Sequence, residues 1–236
     1  VDLSDVTELS IEGRYDKEKR SVNNNVPGVA SALYYGGGAP INPAMAAVGD
    51  SIPSREKSFD QFQPKISLTT SAENTTVYAS YGVGFRSGGF NSSGSAATTE
   101  FWLNSGNPFG LGVVGSQLGV SDTFKKEVSK SFEVGFKGRY LDGRLEVNGA
   151  LFETEVDDNQ FFEFFAGPWG LLRVVTNIDQ LDISGSELDF KYAVSDTLTL
   201  DGGVGFTDGE IKKNAHRPNT VGNNAPLAPE HPYNLG

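Results

Sequence analysis

Three basic residues, Arg86, Lys137 and Arg139, lie in stretches where apolar and polar side chains alternate. Alternation of this kind puts successive side chains on opposite faces of an extended strand, and all three fall on the polar face. There they could contact an anionic chelate, or they could pair with carboxylates on neighbouring strands. The carboxylates in the matching phase are Glu133, Glu187 and Asp189. We favour this ladder of cross-strand ion pairs over ligand contact.

Two groups of aromatic residues offer a different chemistry. The first contains Phe161, Phe162, Phe164, Phe165 and Trp169, and the second contains Phe101, Trp102 and Phe109. Such rings either anchor a β-barrel at the membrane interface or contact a hydrophobic ligand from a loop. We assign residues 161–165 to an interface girdle and keep both roles open for Trp102 and Trp169.

An acidic cluster precedes the first aromatic group and consists of Glu153, Glu155, Asp157 and Asp158. Clustered oxygen ligands can hold Ca²⁺, but the ligand spacing of a calcium loop is absent. Nothing in the sequence holds two of these carboxyls in opposition, as glycoside hydrolysis requires. We interpret the cluster as a solvated strand end and expect no metal.

The groups needed for covalent catalysis are missing or isolated. The chain has no Cys, so a thiol nucleophile, a disulfide and a zinc–thiolate cluster are excluded. The two histidines, His216 and His231, have no partner at catalytic or metal-ligand spacing, and no nucleophile elbow is present. The sequence therefore predicts a non-enzymatic protein without a cofactor.

Charge and hydropathy exclude further classes. A net charge of -11 and a pI near 4.6 argue against binding to nucleic acid. No run of about 18 apolar residues exists, so a transmembrane helix is not expected. A membrane β-strand needs only about ten residues of alternating pattern, and the chain therefore remains compatible with an outer-membrane barrel.

Period-two alternation recurs along the chain and predicts strands. The windows are Leu9–Tyr15, Phe62–Thr69, Thr76–Arg86, Ser131–Tyr140, Leu145–Val156, Glu187–Val194 and Leu198–Thr207, with an eighth strand beginning near His231. In the fifth window the phase slips where Leu151 adjoins Phe152, which indicates either a β-bulge or a strand leaving the membrane. We expect one register to govern each of the other strands, with Phe132 and Glu133 on opposite faces.

The connections alternate between long and short. Long segments lie near residues 16–58, 87–127, 158–172 and 208–230, and tight turns lie near 71–74, 141–143 and 194–196. This asymmetry is typical of a membrane barrel with brief periplasmic turns and long outer loops, and it is unusual in a soluble sandwich. The predicted fold is all-β: antiparallel up-and-down strands of a transmembrane β-barrel, about seven to eight strands of a larger barrel.

Several short motifs resemble the TonB-dependent receptors of the outer membrane. They are Phe62–Leu68, Val77–Tyr81, Gly84–Asn91, Lys130–Lys137, Leu151–Phe152 with Asp157–Gln160, Thr176–Asn177, Gly185–Leu188 and Pro226–His231. The resemblance covers nearly the whole chain except for residues 22–54 and 92–120. It implies that residues 1–236 form part of a receptor barrel, without the plug domain and the terminal strands, because barrels of this class have about 22 strands around a plugged lumen.

The resemblance also implies a function and partners. It implies energy-coupled uptake of a scarce nutrient, first of all an iron–siderophore complex, across the bacterial outer membrane. The implied partners are membrane lipid, the ferric siderophore and the TonB coupling complex, which would act through the missing plug. The candidate ligand contacts are Arg86, Trp102, Lys137, Arg139 and Trp169. The alternatives are a non-energised porin-like barrel and a soluble carbohydrate-binding β-sandwich.

Overall fold

The computed structural model describes residues 1–23, 34–35, 39–40, 42–44, 54–103, 118–167, 170–226 and 230–235. The strands are β1 (Asp2–Ser4), β2 (Thr7–Val22), β3 (Tyr34–Tyr35), β4 (Ala39–Pro40), β5 (Arg55–Ala72), β6 (Thr75–Arg86), β7 (Gly89–Phe90), β8 (Thr123–Phe124), β9 (Glu127–Tyr140), β10 (Leu145–Gly167), β11 (Gly170–Ser195), β12 (Leu198–Lys213) and β13 (Tyr233–Leu235). Helix α1 (Ser95–Leu103) and a 3-10 turn (Pro218–Thr220) lie between strands. Within these ranges, no helix is long and apolar enough to cross a membrane.

Nine of the strands form one antiparallel sheet in the order β1-β2-β5-β6-β9-β10-β11-β12-β13. Each long strand pairs with the next long strand along the chain, so the up-and-down topology is confirmed and a two-sheet sandwich is excluded. All seven predicted windows lie in long strands, and the predicted eighth strand is β13. The three-residue β1 was not predicted. In the part of the chain that the structure describes, β1 and β13 do not pair with each other, and the sheet stays open.

One face of this sheet, here called the apolar face, carries a continuous row of apolar side chains. Cross-strand partners share a face, and the pairs Ile11↔Ile66, Val77↔Phe136, Val134↔Leu151 and Leu188↔Val204 connect the row from β2 to β12. Many of these side chains are exposed, including Ile11 at 70% and Leu151 at 59%. A face that is both apolar and exposed indicates contact with lipid.

The height of the apolar face fits a bilayer. On β9 it extends from Phe132 to Tyr140, which is roughly 26 Å along a strand. A strand tilted by about 40° covers roughly 20 Å of membrane thickness over that length, close to the apolar band of about 25 Å on outer-membrane barrels.

The opposite face, here called the polar face, holds Glu133, Lys137, Glu187 and Asp189, as predicted from the alternation, together with Tyr78. Phe132 pairs with Tyr81 on the apolar face, while the neighbouring Glu133 accepts a hydrogen bond from Tyr78 Oη at 2.7 Å on the polar face. The prediction that Phe132 and Glu133 lie on opposite faces is confirmed.

The three tight turns occur where predicted, at one end of the sheet. The long connections are shorter than predicted, because the strands beside them are longer. Strand β2 continues to Val22, β5 begins at Arg55 and β12 continues to Lys213. The predicted loop near 158–172 is wrong, because β10 and β11 pair up to Gly167↔Gly170. The loop was predicted because residues 158–172 lack period-two alternation. A strand that projects beyond the membrane has no lipid-facing side and needs no such alternation, so this pattern cannot detect it.

The phase slip in β10 is not a bulge. Between Leu145 and Asp157 the register with β9 is unbroken. Leu151 remains on the apolar face, and the Phe152 ring lies on the polar face against Gly185. Glu153, Glu155 and Asp157 then continue the apolar-face phase, and Lys130 binds Glu155 at 2.6 Å. The slip therefore marks the level at which the strand leaves the apolar band.

Several glycines of the sheet lie under aromatic rings of a neighbouring strand. Gly149 faces Phe136, Gly202 faces Phe190, and Gly135 faces Tyr78. A ring that leans over a glycine covers backbone that would otherwise be bare, and this stabilises strand pairs. At Gly135 the space is closed: an added Cβ would lie 2.6 Å from Tyr78 Oη and 2.7 Å from the carbonyl oxygen of Gly149.

Gly135→Ala is therefore expected to destabilise the folded sheet. The backbone oxygen of Gly149 cannot move aside as a flexible side chain can, and overpacking of this kind costs about 1–3 kcal/mol. The measurement is the urea midpoint of the detergent-solubilised protein, followed with the heat-dependent gel shift of a folded barrel. Gly82→Ala is the matched control, because its Cβ would meet Lys65 Cγ at an ordinary 3.7 Å. Equal midpoints for the two variants would contradict the packing argument.

Candidate functional site: the outer mouth of the barrel

The predicted basic residues of the polar face do make cross-strand contacts, but not with the predicted acids. Arg86 lies 4.0 Å from Glu127, and Arg139 binds Glu146 at 2.6 Å. Lys137 lies over the Tyr78 ring at 5.9 Å. The partners named for the ladder, Glu133, Glu187 and Asp189, are therefore wrong for these cations. Alternation specifies a face, whereas the partner depends on the stagger between strands.

The structure does not bring these three cations together. Arg86 pairs with Glu127 at the outer end of β9, while Lys137 is ten residues further along the same strand. That separation is about 33 Å at the rise of a β-strand. Arg86 is 65% exposed at the outer end, and Lys137 and Arg139 lie near the tight turns. A single small ligand cannot contact all of them at once.

Beyond the membrane band, β10 and β11 continue as a projecting hairpin formed by residues 159–167 and 170–178. Asp158 has a positive φ of 53°, which is uncommon for a residue with a side chain. The side of the strands that is exposed changes at this residue. Above it, Phe162, Phe164 and Leu171 are exposed, whereas Val174 and Thr176 are buried. The change turns a different set of side chains outward above Asp158 than below it.

The aromatic residues 161–165 lie in this projecting hairpin, and their prediction as an interface girdle is wrong. From Glu153, where the apolar band ends, to Phe162 is about 30 Å along the strand. The Phe161 and Phe162 rings stack at 5.8 Å, and Arg173 lies 4.9 Å from the centroid of Phe162. Aromatic pairs do border the band on other strands, namely Tyr15 with Phe62 and Tyr81 with Phe132.

Residues 87–103 and 118–126, here called the docked segment, lie between β6 and β9 and contain β7, α1 and β8. Trp102 of α1 is 2% exposed and its ring meets Phe101 edge-on at 5.2 Å. The helix begins beside Asp122, whose carboxylate accepts hydrogen bonds from the backbone N–H groups of Gly94 at 2.8 Å and Ala96 at 2.9 Å. Trp102 therefore packs inside the outer end of the protein. Trp169 lies outside the described residues.

Acidic residues near the projecting hairpin are paired with lysines. Lys130 binds Asp157 at 2.7 Å as well as Glu155, and Lys125 binds Asp158 at 2.8 Å. The hydrogen bond to Asp158 raises the pKa of Lys125, so its ammonium group stays charged at neutral pH. Among the described residues, no group of three or more His, Asp or Glu is arranged to hold a metal ion.

A cavity of about 200 Å³ lies between the projecting hairpin and the loop that follows β12. Phe161, Thr176 and Ile178 line one side, and His216 and Arg217 line the other. The Arg217 guanidinium donates to the Glu163 carboxylate across the cavity and also to the carbonyl oxygen of Leu118 at 3.4 Å. Arg217 therefore joins the hairpin, the docked segment and the β12–β13 loop at one point of the mouth.

A wider groove of about 820 Å³ lies on the apolar face between Val77, Phe136 and Phe206. Its floor includes Gly149 and Ser186. The surface is turned toward lipid, so acyl chains are its natural occupant and it is not a route for a polar nutrient.

Sequence reasoning missed the residues that hold the mouth together. Glu163 and Arg217 carry no sequence signal that pairs them, because they are 54 residues apart. Asn91, Gln160 and Asn177 lie inside the motifs that carry the family resemblance. Their place in these motifs was the one sequence signal that pointed to them. Their side-chain roles depend on contacts between segments distant in sequence.

The site is therefore the wall and outer mouth of a membrane-embedded β-barrel: a meandering sheet, apolar toward lipid and polar inside, with the docked segment and the described part of the β12–β13 loop packed at one end. A family model described as TonB dependent receptor-like, beta-barrel, matches residues 1–236. The chain belongs to this family of TonB-dependent receptors, whose members lie in the outer membrane of Gram-negative bacteria.

Individual relatives agree with this assignment. The chain is 30% identical over 120 residues to the probable TonB-dependent receptor BfrD of Bordetella pertussis, covering 50% of this chain and 15% of that protein. Among solved structures, it is similar to the copper transporter OprC (TM-score 0.62, 16% identity, 98% of this chain and 30% of that one). It is equally similar to the ferric yersiniabactin uptake receptor FyuA from Yersinia pestis (TM-score 0.62, 15% identity, 98% of this chain and 28% of that one). These structures show the shared fold, and the chain spans less than a third of each relative's length.

Proposed function

We propose that this chain is part of a receptor for energy-coupled uptake of a scarce nutrient, most simply an iron–siderophore complex. The observation that carries the proposal is a membership in the TonB-dependent receptor family that extends over the whole chain. Structural relatives named for ferric yersiniabactin uptake and for alcaligin support an iron chelate as the cargo. The relative named as a copper transporter keeps copper as the alternative metal.

The chain would contribute barrel wall, loops and cationic side chains to this task. Arg86 at the outer end and Lys137 and Arg139 further inside would meet an anionic chelate at successive points along the lumen. Trp102 is buried, so contact with a ligand would require the docked segment to move. Energy would come from the TonB complex acting on a plug domain, and lipid would cover the apolar face. We infer a transport role rather than catalysis.

The test is uptake of radioactive iron by the native bacterium with and without the receptor gene. Ferric hydroxamate, catecholate and phenolate siderophores are offered separately under iron limitation, with copper uptake measured in parallel. Loss of energy-dependent uptake of one chelate is expected. Uptake that persists without TonB, or survives a protonophore, would favour the porin-like alternative instead.

Complementation of the deletion strain tests the lumen cations. Lys137→Glu is expected to reduce uptake of an anionic ferric chelate by at least roughly fivefold, because it removes one favourable charge contact of about 1 kcal/mol and adds a repulsive one. Lys19→Glu is the matched control: Lys19 lies on the outward phase of β2 and pairs there with Glu56 at 2.9 Å. Equal uptake through both variants would remove Lys137 from the pathway.

A further inference from the structure

The outer part of β11 has a free edge that a side chain fills. Pairing of β11 with β12 ends at Gln180, so Val175 lies beyond the last β12 partner. The backbone N–H of Val175 donates to Asn91 Oδ1 at 2.7 Å, and Asn91 Nδ2 donates to the carbonyl oxygen of Val175 at 2.8 Å. One primary amide thus satisfies both backbone groups of Val175, as a residue of a neighbouring strand would.

Asn91 also joins the two ends of the docked segment. Asn91 Nδ2 also donates to the carbonyl oxygen of Ser121 at 2.7 Å, and its backbone N–H donates to the carbonyl oxygen of Asp122 at 3.1 Å. Its own carbonyl oxygen accepts a hydrogen bond from Arg55 at 3.1 Å. Asn91 is 6% exposed, so water cannot replace these bonds without opening the structure.

The backbone around Asn91 is shaped for this close approach. At Gly88 an added Cβ would lie 2.6 Å from the carbonyl oxygen of Phe124. Two further amides reinforce the contact: Gln160 donates to the carbonyl oxygen of Ser87 at 2.9 Å, and Asn177 accepts from the backbone N–H of Lys125 at 2.8 Å. Both come from the projecting hairpin and reach the borders of the docked segment.

We propose that Asn91 is a positioning residue that fastens the docked segment to the projecting hairpin, so that the two form one wall of the mouth. Helix α1 does not swing as a separate lid while this fastening holds. The consequence for uptake rests on the proposed function, whereas the fastening itself can be measured without any ligand.

The experiment uses cysteine labelling of the full-length receptor on intact cells. Thr99→Cys places a reporter at a position of α1 that is 0% exposed. The 236 residues contain no Cys, and the receptor without the reporter gives the background labelling of the rest of the protein. A membrane-impermeant maleimide should label this reporter slowly. Adding Asn91→Leu is expected to accelerate labelling at least tenfold, and Asn91→Asp, which keeps the acceptor for Val175 N–H, should give an intermediate rate. Glu100→Cys, exposed on the same helix, is the reporter control and should label rapidly in every background.

Asn159→Leu is the matched substitution. The Asn159 side chain donates to Glu127 at 3.2 Å and to no described atom of the docked segment, so it should leave the labelling of the Thr99→Cys reporter slow. If Asn91→Leu fails to reach the cell surface, the Asn91→Asp rate decides in its place. A labelling rate of this reporter that is unchanged by whichever Asn91 variant assembles would overturn the proposal. Iron uptake does not enter this readout, and failure of the fastening is thus separable from failure of the transport function.

Discussion

Expressed alone in detergent-free buffer, the 236-residue chain is expected to aggregate or remain unfolded and to bind no ligand. Among the described residues, no second sheet covers its apolar face, and the outer edge of β2 has no strand partner beyond Leu9. Unpaired strand edges invite association with other chains. Inside a bilayer each unpaired backbone group would cost several kcal/mol, so insertion is not expected either.

Size exclusion and circular dichroism in water measure this outcome. The matched control is the full-length receptor refolded into detergent, which should be monodisperse and show the heat-dependent gel shift of a closed barrel. A monodisperse chain of 236 residues that melts cooperatively without detergent would contradict both the lipid-facing assignment and the open sheet, because Val77, Tyr81 and Phe132 would then need a protein core to cover them.

Leu188→Arg is expected to prevent assembly of the full-length receptor in the outer membrane. Leu188 is 46% exposed in the middle of the apolar face, between Gly149 on β10 and Val204 on β12. Arginine on the lipid side of a barrel costs about 2–4 kcal/mol at the midplane. The measurement is the amount of heat-modifiable receptor in purified outer membranes.

Glu187→Arg is the neighbouring control, because it introduces the same residue one position away on the polar face. Water and polar partners are available there, so assembly should stay near the level of the unaltered receptor. If Glu187→Arg blocked assembly and Leu188→Arg did not, the two faces would have to be exchanged throughout the sheet, since one register connects all the long strands.

The sequence alone was sufficient for the barrel wall. Alternation in stretches such as Thr76–Arg86 is a local property, and a membrane barrel offers each strand one apolar and one polar environment. The facing of Phe132 and Glu133, the tight turn near residues 141–143 and the seven long strands were therefore predictable. The family was predicted from the motif resemblance, because alternation alone cannot distinguish a TonB-dependent receptor from a porin.

Partners across strands and above the membrane were decided by the tertiary structure. Arg139 pairs with Glu146 and Arg86 approaches Glu127 because of the stagger between strands, which the alternation does not encode. The projecting hairpin was mistaken for a loop because its phase changes at Asp158, where the backbone adopts a positive φ.

The mouth depends most on the tertiary structure. Asn91 and Val175 are 84 residues apart, and the hydrogen bonds between them form because the docked segment folds back on the projecting hairpin. A residue's type and spacing specify which surroundings it tolerates, and this determined the strands and their faces. Which free backbone group an amide satisfies depends on where distant segments meet, and only the folded chain decides that.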